Sequence, residues 1–312
     1  MAAELELLQT AQHKRILRVH GLTEWPDSMA MVLEYMPGGN LRFFLRRVRN
    51  SLKNGLRLRI SYEIADGIAF MHNLTPARRL IHGDLKPENV LLTDELHCKL
   101  ADFGSAALGT YTGYTTDTEP FDLQKRAATK AYAAPEKFDV KPGTKPRKEE
   151  DIFSYSMIVY SVLTCDTPFS NYDNINAYIY DIVQGKRPPL DTIDRLEQLH
   201  SDNQKDTQIL SCLKSVMERC WSQAPSERPP MTEIRIELDE ILSNVNKTIL
   251  LQEVADAAKA IKLDAAASES DSYAPLATFN VHTGLFNTGN VLSLSGNVVS
   301  DFSFAQSWSE PF

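Results

Sequence analysis

The run IHGDLKPENVLL, Ile81 to Leu92, constrains the fold more than any other segment of the chain. Its apolar ends, Leu80-Ile81 and Val90-Leu91-Leu92, read as short strands, while Gly83 and Pro87 interrupt regular structure between them. Such a loop is held by two buried anchors, the way a fixed scaffold presents reactive side chains. On it stand an acid, a base and an amide: Asp84, Lys86 and Asn89. For Asp84 or Lys86 alone, a solvated charge in a hairpin loop is an equal reading. The continuation decides between them. VLL, a turn at Thr93 to His97, and CKLA have the pattern of a β-hairpin, which returns a second carboxylate, Asp102, towards the first.

Two carboxylates and an amide oxygen beside a lysine form a hard-oxygen site suited to Mg²⁺ and phosphate. Phosphoryl transfer requires positioning and charge neutralisation more than covalent help from the protein. Each residue type then has a task. Asp84 accepts the hydrogen of a substrate hydroxyl, Lys86 offsets charge on the moving phosphoryl group, and Asn89 and Asp102 hold metal.

At 312 residues, 43% of them hydrophobic, the chain is long enough to bury a sizeable core. The formal net charge is -8, and five carboxylates, from Asp264 to Glu310, lie beyond Lys262, which no Lys or Arg follows. The body is therefore only mildly acidic. This balance argues against nucleic-acid binding, which needs clustered positive charge. Cys98, Cys165, Cys212 and Cys220 match neither a zinc spacing nor a small disulfide framework, so reduced thiols and a cytoplasmic protein are expected. The acidic start, MAAELE, is unlike a signal peptide. The uncharged run Ile152 to Cys165 is too short to span a bilayer and reads as a buried helix.

Along the chain, Leu5, Leu7 and Leu8 followed by Ile16 and Leu17 predict a short amphipathic helix and a turn near His13. Met29 to Glu34 reads as a strand ended by Pro37-Gly38-Gly39. Leu41 to Val48 and Ile60 to His72 have helical spacing. Residues 105–133, rich in Thr, Tyr and Gly, read as a long exposed loop. From Asp151 to about Lys262 the pattern is mainly helical, and residues 265–312 lose that periodicity and read as a mobile tail.

His82-Gly83-Asp84-Leu85-Lys86-Pro87-Glu88-Asn89, Asp102-Phe103-Gly104 and Ala134-Pro135-Glu136, in that order, resemble the signatures of the eukaryotic protein kinase superfamily. CWSQAPSERP, with Trp221 and Arg228, resembles its tyrosine-kinase-like group, and Lys86-Pro87-Glu88 resembles the Ser/Thr-specific loop. The resemblance covers residues 4–245. It implies an α+β, protein kinase-like bilobal fold with an incomplete small lobe, one C helix and two strands, and a mainly helical large lobe. The implied divisions are 1–36 (partial small lobe), 37–245 (large lobe), 246–264 (helical extension) and 265–312 (tail).

The resemblance also implies ATP and Mg²⁺ as cofactors and a protein substrate. Glu4 matches the C-helix glutamate. Glu34 to Met36 match the hinge that binds adenine through its backbone, with Leu33 as gatekeeper and Leu91 beneath the ring. Leu8, Val19, His82 and Phe103 match the stacked regulatory spine, and Asp151 its base. Arg228 is expected to pair with Glu136, and Thr129 to line the acceptor-hydroxyl site.

Two departures stand out. Gly83 replaces the arginine that clamps a phosphorylated activation loop, which puts control through that contact in doubt for the hydroxyls from Thr110 to Thr118. The glycine-rich phosphate loop and the lysine-bearing strand are also missing before Glu4; such strands need about 30 residues. The 312 residues therefore read as a fragment, an incomplete gene model or a splice form of a Ser/Thr kinase. The alternative is a catalytically inactive scaffold that binds protein partners through its large lobe.

Overall fold

The computed structural model describes residues 12–25, 28–49, 51–74, 79–103, 107–108, 130–138, 146–172, 174–267, 278–280 and 285–287. These fall into two compact units: a larger one of residues 12–20 and 33–267, and a smaller one of residues 21–32 with the described residues beyond 267. The fold is α+β and mainly helical, with few and short strands. Glu4, Leu8, Thr129 and the hydroxyls from Thr110 to Thr118 lie outside the described residues.

In the larger unit the core is built on two helices. The first, α2 (Asn54–His72), is buried on almost every side, with Leu56, Ile60, Ile64, Ile68 and Met71 all shielded from solvent. Its partner α3 (Lys148–Thr164) contains the uncharged run noted above and is fully buried from Glu150 onward. Each large apolar side chain removed from water contributes roughly 1.5–3 kcal/mol. Polar atoms entering this core are satisfied locally, as where the Tyr155 hydroxyl donates to the Ser61 carbonyl at 3.1 Å. Around the pair lie α1 (Leu41–Arg47), α4 (Ile175–Val183), α5 (Asp191–Leu199), α6 (Gln204–Cys220), α7 (Met231–Ser243) and α8 (Lys247–Ala267). Asn40 caps α1 by accepting from the Phe43 amide at 2.9 Å, and Leu41, Phe44 and Leu45 turn one stripe of that helix inward.

Helix α2 starts at Asn54, six residues before the apolar spacing announces it. Arg57 and Arg59 disguise the first turns, because both are buried rather than solvated. The Arg57 Nε donates to the Val162 carbonyl at 3.2 Å, tying α2 to α3. The Arg59 guanidinium donates to the Glu95 and Leu96 carbonyls at 2.9 and 3.0 Å, supporting the turn of the hairpin.

That hairpin is β4 (Val90–Leu92) with β5 (Cys98–Leu100), antiparallel in the register Val90↔Leu100, Leu91↔Lys99, Leu92↔Cys98. It is fastened to α2 by one buried carboxylate. Glu63 accepts from the Cys98 amide at 2.7 Å and from His97 Nδ1 at 2.7 Å, and pairs with Arg15 at 2.9 Å. The stretch from 105 onward departs from the loop expectation at both ends. Strand β6 (Ala107–Leu108) pairs antiparallel with β3 (Leu80–Ile81), and Ala131 and Tyr132 are buried. Two-residue strands carry no period, so nothing local marks them.

Strands β1 (Val19–Trp25) and β2 (Ser28–Leu33) pair with each other. In the smaller unit β7 (Thr278–Asn280) and β8 (Leu285–Asn287) form an antiparallel hairpin within the stretch read as a tail. In the larger unit α8 extends to Ala267, past the expected boundary at 264. Among the described residues no helix is long and apolar enough to cross a membrane.

Candidate active site

The polar loop leaves β3 at Ile81, runs through His82 to Lys86 and enters β4 through a single 3₁₀ turn, Pro87–Asn89. Asp151, in the first turn of α3, fixes its start. Its carboxylate accepts from the His82 and Gly83 amides, both at 2.9 Å, and from His72 Nε2 at 2.9 Å. Burial alone would push the Asp151 carboxyl up; the hydrogen bond and charge of His72, with the His82 and Gly83 contacts, outweigh it and hold the group below its ordinary value. Gly83 adopts φ 77°, a left-handed conformation that glycine takes without a Cβ penalty.

His82 is structural. Its Nε2 faces the Ala101 carbonyl at 2.9 Å, so that nitrogen carries the hydrogen, and Nδ1 accepts from the Asp84 amide at 3.4 Å. Burial lowers its pKa, which keeps the ring neutral. The ring lies 5.1 Å from that of Phe103, and Val19 packs on the same core. One side chain thereby couples the loop carrying Asp84 to the segment carrying Asp102.

The structure brings Asp84, Lys86 and Asn89 together. Lys86 Nζ sits 2.6 Å from Asp84 Oδ2. Asn89 Nδ2 donates to the Asp84 carbonyl at 2.8 Å and approaches Oδ2 at 3.4 Å. The nitrogen of the Asn89 amide is thus committed to the Asp84 loop, which leaves Oδ1 as its acceptor end. The Ala101 amide donates to the Asn89 carbonyl at 2.9 Å, and the next residue, Asp102, holds a left-handed φ of 64°. Non-glycine residues pay about 1–3 kcal/mol for such backbones, which concentrate at functional sites. Among the described residues no cluster of three or more His, Cys, Asp or Glu forms a metal cage. Mg²⁺ needs no such cage, since when bound by one or two protein groups it completes its shell from phosphates and water.

The hinge expectation falls on residues 33–36. Met36 is buried and Leu91, on β4, nearly so, whereas Leu33 and Glu34 are half-exposed. The segment is pinned to β4, the Gly38 amide donating to the Leu92 carbonyl at 2.9 Å and the Leu92 amide to the Gly39 carbonyl at 2.8 Å. A Cβ on Gly38 would lie 2.5 Å from the Thr93 carbonyl oxygen, so only glycine permits this approach. The Glu34 side chain has a partner the sequence did not disclose. Lys99 on β5 reaches both its oxygens at 2.7 and 2.8 Å, and the Arg18 amide donates to Oε1 at 2.7 Å. The one available signal was period two: Lys99 is the charged residue between buried Cys98 and Leu100.

Ala134-Pro135-Glu136 leads into a 3₁₀ turn, Pro135–Phe138, and Glu136 meets Arg228 as expected. The contact is bidentate, at 2.6 and 2.9 Å, and the Arg228 side chain is fully buried. The next residue, Lys137, was missed. It donates to the Gly83 carbonyl and lies 3.8 Å from Glu150. Gly83 thus brings no cation of its own, and Lys137 joins the segment to the loop from the other side.

Burial pushes the Glu150 carboxyl up from 4.5 to about 7, with Lys137 pulling the other way. A raised folded-state value means full stability below the unfolded pKa, lost as pH rises through the folded one. Glu150 should therefore weaken the fold between about pH 4.5 and 7. The Glu150→Gln chain should match wild type near pH 4.5 and exceed it by up to about 3 kcal/mol at pH 8, read from urea unfolding. A difference independent of pH would contradict this assignment.

A helical lobe that carries a carboxylate–lysine–amide loop, with a second carboxylate returned by a hairpin and a buried Glu–Arg tie below, defines a kinase-like phosphotransferase class. The comparison with known proteins makes the family explicit. The family model described as protein kinase domain matches residues 1–237, and the chain belongs to that family. It is 33% identical over 255 residues to receptor-interacting serine/threonine-protein kinase 2 of Bos taurus, covering 80% of this chain and 45% of that protein. It is 28% identical over 314 residues to mitogen-activated protein kinase kinase kinase 7 of Drosophila melanogaster, covering 95% and 42%. With receptor-interacting serine/threonine-protein kinase 4 of Mus musculus it shares 30% over 246 residues, covering 79% and 29%. The chain spans less than half the length of these curated relatives.

Proposed function

We propose that this chain carries the catalytic loop of a protein serine/threonine kinase, which moves the γ-phosphoryl group of ATP, with Mg²⁺, to a Ser or Thr hydroxyl of a protein. The observation that carries the reading is the Lys86–Asp84–Asn89 cluster, 2.6 and 2.8 Å apart, on a loop locked to α3 by Asp151. Asp84 accepts the hydrogen of the acceptor hydroxyl as its oxygen attacks phosphorus. Lys86 orients that carboxylate and offsets the charge of the transferring group. Asn89 and Asp102 would hold Mg²⁺, which would neutralise phosphate charge. The backbone of Glu34 to Met36 and the side chains of Leu33 and Leu91 receive adenine; Glu4 is assigned the C-helix role. Buried thiols at Cys98, Cys165 and Cys220, none in a disulfide, support a reducing, cytoplasmic setting.

Metal should bind only with nucleotide. Calorimetry of Mg²⁺ into the chain alone should give no measurable heat, and Mg²⁺ with an ATP analogue should bind in a manner lost in Asp102→Ala. Tight Mg²⁺ binding without nucleotide would count against the assignment.

The 312 residues contain no glycine-rich phosphate-loop motif, the part that covers the phosphates in protein kinases, and positioning supplies most of what a kinase does. Expressed alone, residues 1–312 should transfer little phosphate. The same chain preceded by a glycine-rich loop and a lysine-bearing strand should regain transfer to Ser or Thr. Protein binding without transfer in either form would favour the scaffold reading.

A further inference from the structure

A cavity of about 280 Å³ lies beside the loop, lined by α1, by Pro87 and Tyr132, and by the end of α3 and the residues that follow it. Pro87 stands on the loop three residues after Asp84, and Tyr132 stands three residues before Pro135, so the cavity is lined both by the loop and by the segment that leads to Glu136. Three guanidinium groups line it: Arg42, Arg46 and Arg49. Their spacing, i, i+4 and i+7, brings them to one face of the helix and the turn after it.

The cations outnumber the anions that answer them. Arg42 pairs with Glu88 at 2.8 Å, occupying that carboxylate's Oε1, while Oε2 is buried and makes no hydrogen bond. Arg49 meets Asp166 at 3.3 Å, both more than a third exposed, a pair worth little and readily exchanged. Arg46 is exposed and makes no ion pair among the described residues. The hydroxyls of Tyr132 and Ser161, 3.1 Å apart, and of Thr167 add neutral partners on the floor. Arginine forks match the planar carboxylate and the phosphate group two bonds at a time. On a chain of net charge -8 this is a local basic spot, suited to one oxyanion rather than to a polyanion.

We infer that the cavity is a specificity subsite, which takes an oxyanion side chain (Glu, Asp or a phosphorylated Ser or Thr) borne by the protein substrate a few residues from its acceptor hydroxyl. The inference deepens the proposed function and rests on Asp84 being the base of that reaction. A substrate arginine is disfavoured there, since Glu88 is already held by Arg42 and Arg46 and Arg49 repel it.

The test is peptide binding by fluorescence anisotropy to residues 1–312, which does not require turnover. Three peptides share one serine acceptor and differ in a neighbouring residue: phosphoserine, glutamate or lysine. Phosphoserine should bind best, glutamate next and lysine least. The Arg46→Glu/Arg49→Glu chain, altered at two exposed positions, should lose roughly tenfold of its phosphoserine-peptide affinity. Its lysine-peptide affinity should not fall, and its melting temperature should match wild type.

Equal binding of the three peptides, or a preference that survives the double variant, would overturn the inference. So would displacement of the phosphopeptide by inorganic phosphate at equal concentration, which would mark a free-anion site. The two readings fail separately. Phosphopeptide binding through Arg46 and Arg49, with no transfer by the N-terminally extended chain, would leave the subsite and sink the kinase reading. Transfer by that chain with no acidic preference would do the opposite.

Discussion

Asp84→Asn should lower phosphoryl transfer by about 10²–10⁴-fold, the range typical of a removed general base, in any form of the chain that is active. Asparagine keeps the size and the oxygen that faces Lys86 at 2.6 Å. The loop should therefore stay folded, held as it is by Asp151 and by the bond from Asn89 to the Asp84 carbonyl. What disappears is the anionic acceptor for the hydroxyl hydrogen. The loss should appear in kcat with little change in KM for ATP, because it is made in the transition state and not in the bound ground state. A variant that loses nucleotide affinity and stability together would show that Asp84 serves the fold instead.

Arg228→Ala should lower the melting temperature by roughly 10 °C. The guanidinium is fully buried and answers Glu136 twice, the Glu149 carbonyl at 2.8 Å and the Ser222 carbonyl at 2.9 Å, above the ring of Phe153. Removing one partner of a buried pair costs about 3–5 kcal/mol because the other charge is stranded. Glu136 keeps 21% of its side chain in contact with solvent, which places the expectation at the low end of that range. Arg147 supplies the comparison. It is exposed at the start of α3, and Arg147→Ala should change stability by no more than about 0.5 kcal/mol. Comparable losses from the two substitutions would contradict the role given to Arg228.

The parts of this structure that the sequence disclosed are those encoded over short distances. The hairpin at 90–100 announced itself through VLL, a turn and CKLA, α3 through its uncharged run, and the loop through Gly83 and Pro87 between anchors. The tie from Glu136 to Arg228, 92 residues apart, came from the family resemblance and from no local pattern. Where both signals were absent, the reading stopped short. Arg57 and Arg59 look solvated in sequence and hid the start of α2, although each is buried and spends its charge on backbone carbonyls. Glu63, Lys99 and Lys137 look like ordinary surface charges. Their roles at the hairpin, beside the hinge and against Gly83 exist only once distant elements are brought together. The helical spacing of Leu41 to Val48 likewise said nothing of Arg42, Arg46 and Arg49, which line a cavity only with Pro87, Tyr132 and Asp166 in place.

The central claim is that Asp84, Lys86, Asn89 and Asp102 form the working centre of a Ser/Thr kinase. The most direct test follows radiolabelled γ-phosphate from ATP into a protein acceptor. It uses the chain preceded by a glycine-rich loop and lysine-bearing strand, beside its Asp84→Asn counterpart, with acid hydrolysis to identify the labelled residue. The account predicts Mg²⁺-dependent label on Ser or Thr, lost at least about 100-fold in Asp84→Asn. Label that persists in Asp84→Asn, or none in a chain that binds the Mg²⁺–nucleotide complex normally, would contradict it.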